Sequence, residues 1–233
     1  MKILALDTAT ENCSAALLID GQLTARERLL ERGHAECILS MIDEVLVAAG
    51  SSLAGLTAIA FGRGPGSFTG VRLAASVTQG LAHGAGIPVV PVSDLAAVAQ
   101  RVLGDTATAE RVLVCNDARM REVYWGCFVR SADGLAAPAG EERVSAPGAV
   151  ALPAGWTPGP GLHGAGTGFA AYPLLRSALS SVLGGGISGL HPRAADIARL
   201  AVPEVVAGRL RSPEEALPVY LRDDVVQSPP RSH

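Results

Sequence analysis

The Asp20-Gly21 pair is the feature of this sequence that most constrains its fold, because it marks a tight hairpin between two apolar runs. The runs at residues 2–7 and 14–19 precede it, and residues 22–30 form a third strand after it. Three antiparallel strands therefore open the chain, which excludes a sheet built only from parallel strands. The next segments alternate between helical periodicity and short apolar runs: a helix at 34–49, a strand at 56–61, a helix at 71–83, a strand at 88–91 and a helix from the Ser93 N-cap to Arg101.

The order β-β-β-α-β-α-β-α predicts an α/β fold in which a mixed sheet is flanked by helices. We assign it to a first lobe at residues 1–103 and expect a smaller, loop-rich second lobe at 104–217. The second lobe has predicted strands at 112–116 and 122–129, loops through the uncharged segment 144–175, and a helix at 193–207. Residues 218–233 form a predicted tail, extended to residue 226 and frayed from residue 228.

The basic residues exclude several enzyme classes. Lys2 is the only lysine, so a Walker-type phosphate loop, a cofactor Schiff base and a Ser-Lys dyad are excluded. A net charge of -3 and a pI of about 5.9 predict no broad basic face for a nucleic-acid backbone. Any contact with RNA is expected to be local or shared with a partner.

Cysteine and histidine spacing argues against metal and redox sites. The four cysteines contain no CxxC pair and are interpreted as small hydrophobic residues of a reduced, cytoplasmic chain. No two of the five histidines lie within five residues of each other, so no metal-binding pair on one helix is available. We predict no signal peptide, since the first residues reach Asp7 and lack an apolar h-region and a small-residue cleavage site, and no membrane span, since the apolar stretch at 73–93 contains polar residues and prolines.

Two segments are candidates for binding a phosphate. One is the end of the first strand and the turn after it, which together carry an acid and two hydroxyl groups. These groups suit a phosphate or a hydrated Mg²⁺, although a turn in which the side chains bond to their own backbone explains them equally well. The other, residues 62–70, matches no named glycine loop, and a structural turn that needs positive φ or close approach is the stronger interpretation. The alternative is that its backbone amides, at the start of a helix, bind an anion. The candidate residues are Asp7, Thr8, Thr10, Gly64, Gly66 and Ser67.

The first two helices predict a partner surface. The helix at 34–49 has two adjacent apolar faces, and the helix at 71–83 has small residues that permit close approach of another helix. Ordinary core packing is the alternative explanation. The predicted contacts are His34, Ile38, Met41, Val45, Ala75 and Gln79.

Five segments spread over nearly the whole chain carry a family resemblance. They are ALDTAT near the start, AFGRGPGSFTGVRLA at 60–74, QGLAHGAGIPVVPVSDLA at 79–96, NDARMREVYWG at 116–126 and PVYLRDDV at 218–225. Together they closely resemble the TsaB (YeaZ) family, bacterial proteins that act in making threonylcarbamoyladenosine (t6A) on tRNA. The resemblance implies the two-lobed fold of actin, sugar kinases and Hsp70 (the ASKHA group), with a reduced second lobe.

The resemblance also implies a function without catalysis. Such a chain forms a heterodimer with the catalytic subunit TsaD, in a complex that includes the ATPase TsaE and through which tRNA is contacted. ATP or ADP is a candidate ligand at the TsaD interface, and a homodimer is the candidate state of the chain alone. Asp94 and Val98 stand where TsaD has two metal-binding histidines, and valine cannot ligate, so no metal is expected. Nothing in the sequence supplies the residues of a protease, and the alternative function is a small-molecule kinase or ATPase of the ASKHA group.

Overall fold

The structure, a computed structural model that describes residues 1–222, contains two mixed β-sheets. The first sheet has the order β3-β2-β1-β4-β5. Strand β1 pairs antiparallel with β2 and parallel with β4, so the predicted mixed sheet is confirmed. The five strands are β1 Lys2–Asp7, β2 Asn12–Ile19, β3 Gln22–Leu29, β4 Ala58–Gly62 and β5 Val89–Val92.

The second sheet has the order β11-β10-β6-β7-β8, and β9 pairs with β7. Strand β6 lies parallel to β10 and antiparallel to β7. Its strands are β6 Arg111–Asp117, β7 Val123–Arg130, β8 Ala136–Pro138, β9 Arg143–Ser145, β10 Leu162–Ala165 and β11 Ile187–Ser188.

Helices cover the faces of both sheets. Two helices, α1 and α2, pack on one face of the first sheet, and α6 packs on its other face. Helix α3 contacts α6 and the second sheet, whose far face is covered by α4 and α5. The helices are α1 His34–Ala48, α2 Phe68–Ala85, α3 Asp94–Asp105, α4 Gly168–Ala171, α5 Pro173–Leu179 and α6 Ala194–Val206. No helix within residues 1–222 is long and apolar enough to cross a membrane.

The predicted hairpin between β2 and β3 is confirmed. Asp20 and Gly21 have φ values of 47° and 89°, the positive values that a two-residue turn matching the twist of the strands requires. Strand β1 then places alternate side chains on opposite faces. Leu4 and Leu6 enter the core beneath α1 and α2, whereas Ile3 and Ala5 enter the core beneath α6.

Residues 144–175 were expected to be loops, and this prediction is wrong in part. In the second sheet, strand β10 from this segment lies between β6 and β11, and α4 and the start of α5 follow it along the chain.

Helix α6 falls within the range predicted for the second lobe, yet it packs on the first sheet. The division into lobes stays a prediction. The predicted tail is described only at residues 218–222, which form no strand, and the rest of it lies outside the described residues.

The glycines of residues 62–70 have two different roles. Gly64 has a φ of 104°, a backbone conformation that residues with a side chain rarely adopt. Gly66 and Gly70 instead permit close packing, because a Cβ would lie 2.6 Å from the Ala9 carbonyl oxygen at Gly66 and 2.1 Å from the Thr8 carbonyl oxygen at Gly70. The connection from β4 to α2 therefore rests directly on the backbone that follows β1.

We predict that Gly70→Ala lowers the free energy of unfolding by about 1–3 kcal/mol, because the added methyl group meets backbone that cannot move aside cheaply. The matched control is Gly80→Ala in the same helix, where a Cβ meets nothing within 4 Å. That control should raise stability by about 0.5–1 kcal/mol, since alanine favours a helix interior. Urea unfolding followed by circular dichroism measures both values. Equal changes in the two variants would contradict the close-packing role.

Candidate functional site

The carboxyl ends of β1, β4 and β5 meet at one edge of the first sheet, where the three strands run parallel. Asp7 ends β1, Gly62 ends β4, and Asp94 begins α3 directly after β5. A Cβ on Gly62 would lie 2.4 Å from Asp94 Oδ1 and 2.6 Å from Asp7 Oδ1, so the glycine leaves room for both carboxyl groups. Both aspartates are 0% exposed.

The two buried carboxyl groups lie within hydrogen-bonding reach of each other. The Ala9 amide donates to Asp7 Oδ1 at 2.8 Å, and the Gly64 amide donates to Asp94 Oδ2 at 2.5 Å. Among residues 1–222, no donor serves Asp7 Oδ2 or Asp94 Oδ1. Two carboxylates in contact without solvent cannot both ionise at low cost. One proton shared between the two groups satisfies both remaining oxygens.

The electrostatics agree with a shared proton. Burial raises the pKa of Asp7 to about 6, although the Ala9 amide and the Asp94 hydroxyl oppose this rise. Burial, followed by the charge of Asp7, raises the pKa of Asp94 well above its ordinary value. Arg63 opposes the rise at Asp94, and His34 weakly opposes it at Asp7. Asp94 is therefore the acid of the pair and Asp7 the carboxylate.

The structure brings the phosphate candidates together, but hydrogen bonds within the chain occupy their polar groups. Thr8 Oγ1 donates to the Gly70 carbonyl at 2.7 Å, and Thr10 Oγ1 accepts from the Asn12 amide at 3.3 Å. Ser67 caps α2 by accepting from the Gly70 amide at 3.5 Å. With the amides of Ala9 and Gly64 bound to the two aspartates, these contacts favour the structural turn in both segments. A phosphate role stays a prediction.

Metal-ligating side chains do not converge in the described part of the chain. No group of three or more His, Cys, Asp or Glu residues there is placed to hold a metal ion. Val98, one turn after Asp94 on α3, is fully buried in the core between α3 and the second sheet. Its side chain packs against apolar neighbours and has no atom that could ligate.

A cleft of about 1120 Å³ opens between the two sheets. Its walls are the turn after β1, the first turns of α1 and α2, the turn between β6 and β7, and residues 219–222. Asn116 lines the cleft at the end of β6 and is 4% exposed. Its Oδ1 accepts from the Thr167 amide at 3.3 Å, but its Nδ2 has no acceptor among residues 1–222. Sequence reasoning missed Asn116 as a cleft residue, although it begins one of the recognised segments.

Four of the six predicted partner contacts lie inside the fold, which corrects the prediction at these positions. The two apolar faces of α1 merge into one buried surface against the first sheet at residues 38, 41, 42, 45 and 46, and α2 packs beside it, whereas Leu39 stays exposed. His34 and Gln79 are half-buried: His34 Nε2 lies 2.8 Å from the Thr10 carbonyl, and Gln79 Nε2 donates to the Glu214 carbonyl at 3.5 Å. The core residues, each at most 4% exposed, are Ile38, Met41, Val45 and Ala75.

Glu142 connects the second sheet to the carboxyl pair and was also missed by sequence reasoning. It forms an ion pair with Arg63 at 3.2 Å and accepts a hydrogen bond from Ser93, the N-cap of α3. The positive charge of Arg63 in turn favours the ionised form of Asp94 and so opposes the rise of its pKa. Because Glu142 is 49 positions from Ser93 along the chain, no local pattern reveals the contact.

Comparisons with known proteins agree on one family. The family model described as "TsaD: tRNA N6-adenosine threonylcarbamoyltransferase" matches residues 27–198. The tRNA threonylcarbamoyladenosine biosynthesis protein TsaB of Escherichia coli K12 is 41% identical over 230 residues, which cover 97% of this chain and 96% of that protein. TsaB of Haemophilus influenzae is 52% identical over 130 residues, 56% of this chain and 55% of that protein.

Solved structures agree as well. A Pseudomonas aeruginosa protein described as similar to the peptidase YeaZ has a TM-score of 0.87 at 43% identity, covering 95% of this chain and 99% of that one. YeaZ from the same organism has a TM-score of 0.84 at 42% identity, covering 94% and 99%. With the two mixed sheets, these matches fit the ASKHA-like fold.

The carboxyl pair predicts how stability depends on pH. The pKa of Asp7 is about 6 in the folded chain against an ordinary value of 3.8, so the folded state binds protons more tightly than the unfolded state. Stability is therefore greatest below the ordinary value and falls as the pH rises through about 6. The raised pKa of Asp94 extends the fall to higher pH.

Asp94→Asn tests this dependence, because its amide can accept from Gly64 and donate to Asp7 without a shared proton. We expect the variant to exceed the parent by about 1–3 kcal/mol in free energy of unfolding near pH 8, and the difference to shrink near pH 5. Urea unfolding across this range measures it. Asp43→Asn, at an exposed position of α1, is the control and should follow the parent. Parallel pH profiles for Asp94→Asn and the parent would refute the shared proton.

Proposed function

The chain belongs to the TsaB family, and from this we propose that it is a non-catalytic subunit of t6A synthesis that binds and activates TsaD together with the ATPase TsaE. The similarity to the Escherichia coli tRNA threonylcarbamoyladenosine biosynthesis protein TsaB supports the role in t6A synthesis. The observation that carries the proposed binding role is the outer face of α2, which has features that the fold of the single chain does not need.

Three small residues form a stripe along the outer face of α2. Ser76, Gly80 and Gly84 follow one another at four-residue spacing and are exposed. A Cβ at Gly80 or Gly84 would meet nothing within 4 Å, so neither glycine serves close packing inside the chain. Each glycine within a helix costs about 0.5–1 kcal/mol relative to alanine. Close approach of a helix from another chain explains why these positions lack side chains.

The neighbouring face of α1 exposes apolar side chains. Leu39 is 55% exposed and Val47 is 70% exposed, whereas the inward face of the helix is buried. The two helices pack side by side on the same face of the first sheet, so their outer surfaces adjoin. Large apolar side chains beside a groove of small residues suit a helical partner.

We therefore move the proposed TsaD surface outward on the same helices. Gln79 and His34 remain in the proposal because they are half-buried at its margins, while the four core residues support the surface from beneath. The proposed surface, called the docking face below, consists of Leu39, Val47, Ser76, Gly80 and Gly84.

The remaining roles follow from the same proposal. We expect the docking face to mediate a homodimer when TsaD is absent, because exposed apolar surface favours self-association. Contact with tRNA through the complex, ATP or ADP at the TsaD interface and a cytoplasmic location remain proposals that the family supports. The hydrogen bonds within the turn after β1 give no support to a separate kinase or ATPase activity.

Gly80→Leu tests the docking face. A leucine there fills the groove without touching the chain's own core, so the melting temperature should not fall, whereas affinity for TsaD should weaken at least about tenfold. Titration calorimetry against TsaD measures the affinity, and light scattering measures self-association.

The control is Ala178→Leu, which places the same side chain at an exposed position of α5 on the second sheet. It should leave both associations unchanged. If Gly80→Leu binds TsaD as tightly as the parent does, the docking face is not the TsaD interface.

A further inference from the structure

Residues 212–222, called the strap below, run from the flank of α2 to the mouth of the cleft. Near their start, the Glu214 carbonyl accepts from Gln79 Nε2 at 3.5 Å. Ala216 is fully buried in the core beneath α1 and α2. The Val219 amide then donates to the Arg63 carbonyl at 2.7 Å, within the glycine segment after β4. The first part of the strap is therefore attached to the half of the molecule that contains the first sheet.

Tyr220 attaches the strap to the first two turns of α2. Its hydroxyl accepts from Arg72 Nε at 2.7 Å. The Arg72 guanidinium also lies 3.4 Å from the ring centroid of Phe68, and the Phe68 and Tyr220 rings are 5.9 Å apart. This cation–π cluster fixes the strap where it reaches the cleft.

Arg222 makes the opposite attachment, to the turn between β6 and β7 of the second sheet. Its guanidinium forms an ion pair with Glu122 and donates to the Ala118 carbonyl at 3.3 Å. The Arg222 side chain is only 17% exposed, so this charged contact is poorly screened by solvent. Residues 220 and 222 thus join the two halves across the cleft.

The β6–β7 turn, to which Arg222 binds, has an unusual backbone conformation. Three consecutive residues, Arg119, Met120 and Arg121, have φ values of 60°, 51° and 61°. Residues other than glycine disfavour this region, and such strain persists only where the surroundings hold it in place. Arg119 also forms an ion pair across the cleft with Glu11 at 3.2 Å. A strained turn thus contacts both the strap and the first half of the molecule.

We propose that the strap is a conformational latch that holds the strained β6–β7 turn and thereby keeps the two sheets at their present separation across the cleft. When the strap is attached, Arg222 holds the turn, and the turn presents Arg119 to Glu11. When the strap detaches, the turn relaxes from its left-handed conformation and the Arg119–Glu11 pair separates, so that the two sheets can part. The inference concerns the chain alone and does not depend on TsaD binding.

The test of the latch changes the strap and measures the effect in the β6–β7 turn. Tyr220→Ala removes the attachment to α2, whose hydrogen bond and ring contacts involve Arg72 and Phe68 and no residue of the β6–β7 turn, whereas Arg222→Ala removes the ion pair and hydrogen bond to the turn itself. Hydrogen–deuterium exchange is measured by mass spectrometry on peptides covering the turn and on peptides covering β10. The ratio of their rates removes any effect of global stability. Arg176→Ala, an exposed position of α5, is the matched control.

We expect both strap variants to raise exchange in the turn relative to β10 by at least about tenfold, with no change in the control. If only Arg222→Ala raises exchange in the turn, Arg222 holds the turn without help from the attachment of the strap to α2, and the proposal is overturned. If neither variant raises it, the turn holds itself and the proposal also fails. Should Tyr220→Ala prevent folding, Tyr220→Phe, which keeps the ring and loses the bond to Arg72, replaces it under the same criteria.

Discussion

Close backbone packing between the turn after β1 and the segment from β4 to α2 is the constraint on which the rest of the structure depends. Gly66 and Gly70 lie so near this turn that a Cβ on either would come within 2.6 Å of a carbonyl oxygen of its backbone. Since no side chain separates the two backbones, α2 begins directly against β1. The position of α2 then decides where the outer face of the helix, the wall of the cleft and the attachment of the strap lie.

The buried pair of acids is a consequence of the same packing. The glycine at the end of β4 leaves space for two carboxyl groups, one from the end of β1 and one from the start of α3 after β5. Water cannot reach them, so a proton and two backbone amides replace solvation. Arg63 and Glu142 extend this charged cluster toward the second sheet. At this edge of the sheet, hydrogen bonds to the two carboxyl groups connect β1, the segment after β4 and α3.

Local signals predicted much of the first sheet and its helices. The Asp20-Gly21 turn, the periodicity of α1 and the Ser93 cap each depend on neighbours within a few residues, and the structure has all three. The short strand β10 was missed because its four residues include a glycine and a histidine and no alternation can be read from them. It exists because β6 and β11 supply hydrogen bonds on both sides.

The sequence by itself determined the α/β class, the mixed first sheet, the hairpin and the family, because these depend on short-range periodicity, turn chemistry and segments of recognisable composition. Tertiary structure alone decided which residues of the two apolar faces of α1 are covered, and it placed Met41 in the core rather than on a partner surface. It also brought Asp7 to Asp94 and Arg222 to Glu122, pairs far apart along the chain. Burial and long-range contact arise from how elements pack, and periodicity within one element carries no information about what lies against it.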